Sequence, residues 1–180
     1  MLTTENTAFM LIDYQGRLAQ VMHEREQLHD NLVTLIKGLN VLNIPIIWVE
    51  QYPKGLGETK ESVKKLLIEN NEPIAKMDFS VCAHEDVQSL MKDVNREKYI
   101  VAGIEAHVCV YQTVKQLLKA DKHVEFVQDC ISSRTKMNKE IAIQKMQRLG
   151  AYSTSVEMVL FELLGTAEHP NFKEISTLIK

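Results

Sequence analysis

The sequence predicts an α/β fold in which a mostly parallel sheet of about six strands is covered by helices on both faces. Four short segments are almost continuously apolar and rich in β-branched residues, as is typical of strands buried on both faces: residues 8–14, 44–50, 98–104 and 123–129. Two weaker strand candidates lie at residues 73–79 and 151–156. Because helical periods separate these segments, we expect βαβ units with right-handed crossovers, stacked as three layers.

The helical segments carry apolar residues three or four positions apart. Such repeats run from Leu28 to Leu42, from Val108 to Leu118 and from Ile141 to Met146, and residues 85–94 and 156–164 also have a helical pattern. The longest irregular stretch, residues 51–59, follows the second predicted strand. It is predicted to form a loop at the rim of a site, or a lid over it.

Length and composition favour one domain over residues 1–180 and a small-molecule partner. The 180 residues are 45% hydrophobic, enough for one substantial core and short for two. The 24 acidic and 21 basic residues give a net charge of −3 without long runs of one sign, so neither a nucleic-acid nor a membrane partner is expected. The first apolar run ends at Asp13 and lacks a preceding basic region, which predicts a cytoplasmic protein without a signal peptide.

No cofactor is expected from the motifs. The three cysteines are widely spaced, which favours reduced thiols over disulfides or a zinc site, and no spacing among the six histidines resembles a metal site. The seven glycines form neither a dinucleotide-binding nor a Walker motif, and this disfavours a flavodoxin-like or nucleotide-binding function.

Three polar residues follow predicted strands: Asp13, Lys76 and Cys109. Taken singly, each has an ordinary structural explanation, namely a helix cap or turn, a solvated lysine and a buried packing cysteine. Parallel strands, however, bring their carboxyl ends to one edge of the sheet, where ligands bind. A carboxylate, an ammonium and a thiol in one crevice predict nucleophilic catalysis, since a lysine and a helix start favour the thiolate and a carboxylate can carry the proton.

The other thiols and the histidines are weaker candidates. Cys130 leads into a predicted loop and Cys82 lies in a predicted turn, so packing or turn roles are favoured for both. His107 precedes Cys109 by two residues, a spacing that does not place two side chains on one helical face. Structural or solvated roles are favoured for the histidines.

The chain resembles the isochorismatase-like cysteine hydrolases, a family that includes nicotinamidases and N-carbamoylsarcosine amidohydrolase. The resemblance covers nearly the whole chain and is carried by LIDYQ at residues 11–15, PIAKMDFS at 73–80, GIEAHVCVYQTV at 103–114, VQDC at 127–130 and the run from Lys139 to Leu164. The EQYPKGLG and VLFELLG segments look most like the isochorismatase domain-containing branch.

This resemblance implies a Rossmann-like sheet and a catalytic triad of Asp13, Lys76 and Cys109. It also implies a cis peptide between Ile104 and Glu105, and an oxyanion hole formed by the backbone N–H groups of Glu105 and Cys109. Nicotinamidases of the family hold a metal with an Asp-x-His motif after the second strand. Here the corresponding residues are Glu50-Gln51-Tyr52, so no metal site is expected. Glu105-Ala106 also replaces the threonine-containing version of that block common in relatives.

The predicted function is metal-independent hydrolysis of a C–N bond in a small amide or carbamoyl compound, through a thioester on Cys109. Alternatives are isochorismatase-type hydrolysis of another small substrate, or a non-catalytic thiol sensor or scaffold that keeps the fold. Tyr52 and Phe79 are weaker candidates for the substrate pocket, with core packing as the alternative. A homo-oligomer is expected from the resemblance, with the apolar segment from Val156 as its candidate interface, although burial within the monomer explains that segment equally well.

Overall fold

The computed structural model describes residues 1–67 and 72–180. Within these ranges, six parallel strands form one sheet in the order β3-β2-β1-β4-β5-β6. The strands are β1 (Thr7–Ile12), β2 (Ile46–Gln51), β3 (Ile74–Lys76), β4 (Lys98–Ile104), β5 (His123–Ser132) and β6 (Tyr152–Thr154). The predicted parallel α/β fold is confirmed, and all six predicted strands are present.

The described helices connect the strands and cover the sheet. They are α1 (Gly16–Gln20), α2 (Arg25–Val41), α3 (Pro53–Leu56), α4 (Glu61–Leu67), α5 (Glu85–Val94), α6 (Tyr111–Lys119), α7 (Lys136–Arg148), α8 (Val156–Leu164) and α9 (Phe172–Ile179), with a 3-10 turn at Val81–Ala83 and a π-helical turn at Ala106–Val110. The α5 and α8 bounds agree with the sequence prediction. No helix in the described chain is long and apolar enough to cross a membrane.

The core divides into two apolar clusters, one on each face of the sheet. Phe9 and Leu11 of β1 belong to the cluster that α2, α8 and α9 cover, whereas Met10 and Ile12 belong to the cluster beneath α5, α6 and α7. Successive side chains of a strand point to opposite faces, and this is why the central strands are apolar at nearly every position. The protein therefore has three layers.

The segments that differ from the sequence prediction lie at the carboxyl edge of the sheet. β5 continues to Ser132, so Cys130 lies inside a buried strand and not in a loop. The stretch 51–59 is not an open loop, because it contains α3 and because Gly16 N–H donates to Glu58 O at 3.0 Å. It forms a fixed rim, held by contacts that the local sequence does not reveal.

The apolar segment from Val156 forms α8 and is packed mainly within the monomer. Five of its side chains are buried: Val156, Val159, Leu160, Leu163 and Leu164. Met158 and Phe161 remain exposed, with 60% and 38% of their surface accessible. Monomer burial therefore explains most of this pattern, and only the outer face is available to a second copy.

Candidate active site

The site lies where the chain order of the strands reverses. Strands β1, β2 and β3 extend to one side, whereas β4, β5 and β6 extend to the other, so β1 and β4 are neighbours at the centre. Open parallel sheets bind ligands at the carboxyl ends of the strands at such a switch point. Gly103 permits a close approach there, because its φ is +122° and a Cβ atom would lie 2.0 Å from the carbonyl oxygen of Ile12.

Asp13 directly follows β1 and adopts a left-handed backbone conformation with φ of 52°. Its N–H donates to the carbonyl of Val49 at 3.2 Å, and its carbonyl accepts from the N–H of Gln15 at 2.8 Å. Aspartate tolerates this conformation better than most residues do. The result is a carboxylate that is 1% exposed and held at the end of the central strand.

Lys76 is the last residue of β3 and reaches across the end of β2 to Asp13. Its Nζ donates to Asp13 Oδ2 at 2.9 Å and to Gln51 Oε1 at 2.6 Å. The carbonyl of Asp78 accepts from it at 3.1 Å and that of Phe79 at 3.5 Å. The side chains of the ion pair are 0% and 1% exposed, so both charges are held out of water and stabilise one another.

Cys109 lies in the π-helical turn that follows β4. The N–H groups of Val108 and Val110 donate to the carbonyl of Glu105 at 3.0 and 3.3 Å, and the peptide bond between Ile104 and Glu105 is cis. Thr113 Oγ1 donates to the carbonyl of Cys109 at 2.7 Å. This turn holds the thiol at the switch point, next to Asp13, where it is 6% exposed.

The two carboxylate oxygens of Asp13 differ in their contacts: Oδ2 accepts a hydrogen bond from Lys76, whereas Oδ1 does not. Oδ1 is buried and has no N–H or O–H donor in the described structure. The thiol of Cys109 interacts with this carboxylate strongly enough to affect the pKa of both groups. The Asp13 carboxylate therefore interacts with both the Lys76 ammonium and the Cys109 thiol.

Burial controls the protonation of both groups. It raises the pKa of Asp13 above its usual 3.8, and it outweighs the Lys76 ammonium, which acts in the opposite direction. Burial also raises the pKa of the Cys109 thiol well above its usual range, and the Asp13 charge adds to the rise while Lys76 opposes it. The resting thiol is protonated at neutral pH, in contrast to the thiolate that a nearby lysine and helix start lead one to expect.

Two glutamines at the site were not identified as candidates from the sequence. Gln51 accepts from Lys76 and also donates through Nε2 to the carbonyl of Met77 at 2.7 Å. Gln15 is fully buried; its Oε1 accepts from the Gln51 N–H at 2.7 Å and its Nε2 donates to the carbonyl of Gln51 at 2.9 Å. Gln51 ends β2 and Gln15 lies three residues after β1, so their nearness to strand ends was the available signal, as it was for Asp13 and Lys76.

The rim of the site has an apolar side and a polar side. Tyr52, Met77 and Phe79 are 48%, 68% and 56% exposed, so neither Tyr52 nor Phe79 is a core residue. On the other side, Glu105 Oε2 accepts from the backbone N–H and the Nε of Arg134, both at 3.1 Å.

The remaining thiols and histidines have other contacts. Cys130 is buried in β5, and Cys82 lies in the 3-10 turn, where burial raises its pKa to about 12. His107 Nδ1 lies 2.9 Å from Ser133 Oγ. The surroundings of both cysteines and of His107 thus agree with packing or turn roles.

The residues that stand in place of the nicotinamidase metal motif do not fit a metal. Glu50 Oε1 accepts the N–H of Thr59 at 2.5 Å, Gln51 is engaged by Lys76, and Tyr52 offers a phenol where the motif has an imidazole. Across residues 1–67 and 72–180, there is no group of three or more His, Cys, Asp or Glu side chains that could hold a metal ion.

The fold and site define a parallel α/β protein with a buried carboxylate, ammonium and thiol at the switch point of its sheet. The chain belongs to the isochorismatase family, whose proteins are hydrolases: the isochorismatase domain model matches residues 7–158. Isochorismatase domain-containing protein 2 of Danio rerio is 35% identical over 179 residues, which cover 99% of this chain and 89% of that protein.

Solved structures show the same fold. The MAR1 ribonuclease from Caenorhabditis elegans is 35% identical and superposes with a TM-score of 0.94, covering 99% of this chain and 91% of that one. The nicotinamidase/pyrazinamidase PncA from Bacillus subtilis is 15% identical with a TM-score of 0.75, covering 83% of this chain and 100% of that one. At that identity, the likeness to PncA concerns the fold alone.

Proposed function

We propose that this protein is a metal-independent cysteine hydrolase that cleaves the C–N bond of a small amide or carbamoyl compound. The observation that carries the proposal is the buried Asp13 carboxylate, which binds Lys76 through Oδ2 and interacts with the Cys109 thiol. A nucleophile, a proton acceptor and a group that orients the acceptor are the minimum set for covalent catalysis. Tyr52 and Phe79 are proposed to bound the substrate pocket.

In the acylation half-reaction, Cys109 Sγ attacks the substrate carbonyl carbon and its proton moves to Asp13 Oδ1. The N–H groups of Glu105 and Cys109 are proposed to stabilise the resulting oxyanion. The C–N bond then breaks, and Asp13 returns the proton to the leaving nitrogen. The products of this half are a free amine or ammonia and a thioester on Cys109.

Water completes the cycle. It attacks the thioester carbonyl, and Asp13 accepts one of its protons. The C–S bond breaks, the acid leaves, and the proton returns to sulfur. Throughout, Lys76 opposes the effect of burial on the pKa of Asp13 and stabilises the negative charge that develops on the thiol.

An amine-release assay on a panel of small amides, ureas and carbamates tests the proposal, with RNA as a parallel substrate. The Caenorhabditis elegans relative is called a ribonuclease, but RNA carries no amide whose cleavage would use a thioester. This chain also has a net charge of −3, whereas proteins that bind nucleic acid usually present a basic face. We expect amine release and no RNA cleavage; RNA cleavage that depends on Asp13 would overturn the assignment.

The proposed proton transfer predicts a specific pH dependence. Asp13 must be ionised to accept the proton, so kcat/KM is expected to fall as the pH drops through the pKa of Asp13, which burial places above 3.8.

Because the pKa of Cys109 is raised, its alkylation by iodoacetamide should keep accelerating from pH 7 to about pH 10. A plateau of the Cys109 rate below pH 8 would show a low-pKa thiolate and favour the alternative role of a thiol sensor.

We also propose that the protein forms a homo-oligomer. Large apolar side chains are exposed on the outer faces of α7 and α8, including Met137, Ile141, Met158 and Phe161. Exposed apolar side chains on a helix face are common at contacts between proteins, and here α7 and α8 offer one such face on each side of the sheet. Light scattering coupled to size-exclusion chromatography measures the mass directly, and a monomer at micromolar concentration would contradict the proposal.

A further inference from the structure

A cavity of about 560 Å³ lies between α5 and α6, at the amino edge of the sheet beside the first residues of β4. We call it the Tyr99 cavity; its lining includes Cys82, Met91, Tyr99, Leu117 and three lysines. None of Asp13, Lys76 or Cys109 lines it. The volume falls in the range of small-molecule sites, which are typically about 300–1,000 Å³.

The hydroxyl of Tyr99 is a buried polar group in the wall of this cavity that has no hydrogen-bond partner among the described residues. The side chain is fully buried, and its oxygen has no hydrogen-bond partner in the described structure. A buried hydroxyl without a partner destabilises a folded protein, and such groups are uncommon in native structures. Tyr99 is therefore a hydrogen-bond donor held in place for an acceptor that the chain itself does not supply.

The charges around the cavity are positive. Its lysines are Lys92, Lys119 and Lys122, and no acidic residue is among its described lining residues. Lys92 and Lys119 lie in the last turns of α5 and α6, where each helix end carries roughly half a unit of negative charge. Two helix ends offset only part of three full charges, which leaves the rim net positive.

Lys122 is the lysine placed best to act together with the Tyr99 hydroxyl. Its Nζ lies 6.0 Å from the centroid of the Tyr99 ring and donates to the carbonyl of Arg96 at 3.0 Å. An ammonium has three donors, so this single bond leaves others for a ligand. Met91 and Leu117 supply an apolar wall, and a methionine sulfur makes favourable contacts with aromatic rings.

We propose that the Tyr99 cavity binds a small aromatic carboxylate. The carboxylate accepts a hydrogen bond from the Tyr99 hydroxyl and is neutralised by Lys122, while the ring lies against Met91 and Leu117. The hydroxyl is buried in the unliganded protein, so binding requires side chains to move, and the unbranched, partly buried Met91 and Lys122 can supply that change of rotamer. This site is independent of the proposed hydrolase chemistry.

Calorimetric titration with 2-naphthoate tests the site, with 2-naphthylmethanol as the neutral probe of similar shape. The wild-type protein is expected to bind one naphthoate with a Kd below about 1 mM and the alcohol at least about tenfold more weakly. Tyr99→Phe should weaken naphthoate binding by about tenfold or more, because it removes a hydrogen bond to a charged group. Tyr152→Phe, on an exposed tyrosine of β6, is the matched control and should bind as the wild type does.

A second measurement separates ligand binding from a structural role of the hydroxyl. Without ligand, Tyr99→Phe should unfold at the same temperature as the wild type or higher, because it removes an unpartnered buried hydroxyl. A lower unfolding temperature would show that the hydroxyl has a partner within the protein and would overturn the proposal. Absence of naphthoate binding at about 5 mM, or equal affinity of the wild type and Tyr99→Phe, would overturn it as well.

Discussion

Cys109→Ala is expected to lower turnover of any amide substrate by at least about 10³-fold, because no other group in the site can form the covalent intermediate. Asp13 and Lys76 remain in place in this variant, and a water activated by Asp13 accounts for any residual rate. The substitution removes a single sulfur atom, so the fold should persist. Amine release under saturating substrate, normalised to folded protein by circular dichroism, measures the effect.

Cys130→Ala is the matched control for this loss. It removes a thiol that is also buried, from β5 and not from the proposed site, and should retain turnover per folded molecule. If Cys109→Ala retained wild-type turnover, the covalent mechanism would be excluded whatever the substrate. A non-covalent hydrolase with Asp13 as the general base would then explain the site better.

Lys76→Met is expected to cost about 3–5 kcal/mol of the free energy of unfolding at pH 7, because it leaves the buried Asp13 carboxylate without its partner. Methionine fills much of the same volume, so the loss is mainly electrostatic. Without the ammonium, the pKa of Asp13 should rise further, and the carboxyl should take up a proton as the pH falls. The deficit relative to wild type should therefore shrink between pH 7 and pH 5, as measured by urea unfolding.

The double variant Asp13→Asn/Lys76→Met provides the control for this prediction. It removes both charges, so its loss of stability should be smaller than that of Lys76→Met alone. Equal losses in the single and double variants would mean that the ion pair does not control the stability of this region. A deficit of Lys76→Met that is independent of pH would contradict the assigned burial of Asp13.

The strands and the residues Asp13, Lys76 and Cys109 could be predicted from the sequence, because polar residues near the ends of apolar strands stand out. A strand buried on both faces is almost continuously apolar, so the polar residue that follows it is conspicuous, as Asp13 is after β1, and Lys76 ends the short strand β3 in the same way. The parallel order then brings these ends to one edge. The same rule, applied to Gln51 at the end of β2, would have identified the second acceptor of Lys76.

Other features depend on packing that linear order does not contain. The raised pKa values of Asp13 and Cys109 arise from burial by several elements, and the local lysine alone suggested the opposite direction for the thiol. The short helix α3 depends on contacts of Gln15 and Gly16 with a segment about 40 residues later. The cis peptide at Ile104–Glu105 was implied only by the family resemblance, since periodicity carries no signal for it.

Peptide mass spectrometry after rapid acid quench of a substrate reaction tests the central claim most directly. During turnover of an amide or carbamate, the peptide that contains Cys109 should gain the mass of the acyl or carbamoyl group, and the peptides of Cys82 and Cys130 should not. Asp13→Asn should slow the appearance of this increment. Steady release of amine with Cys109 unmodified at every quench time, under conditions that trap an authentic thioester, would contradict the account.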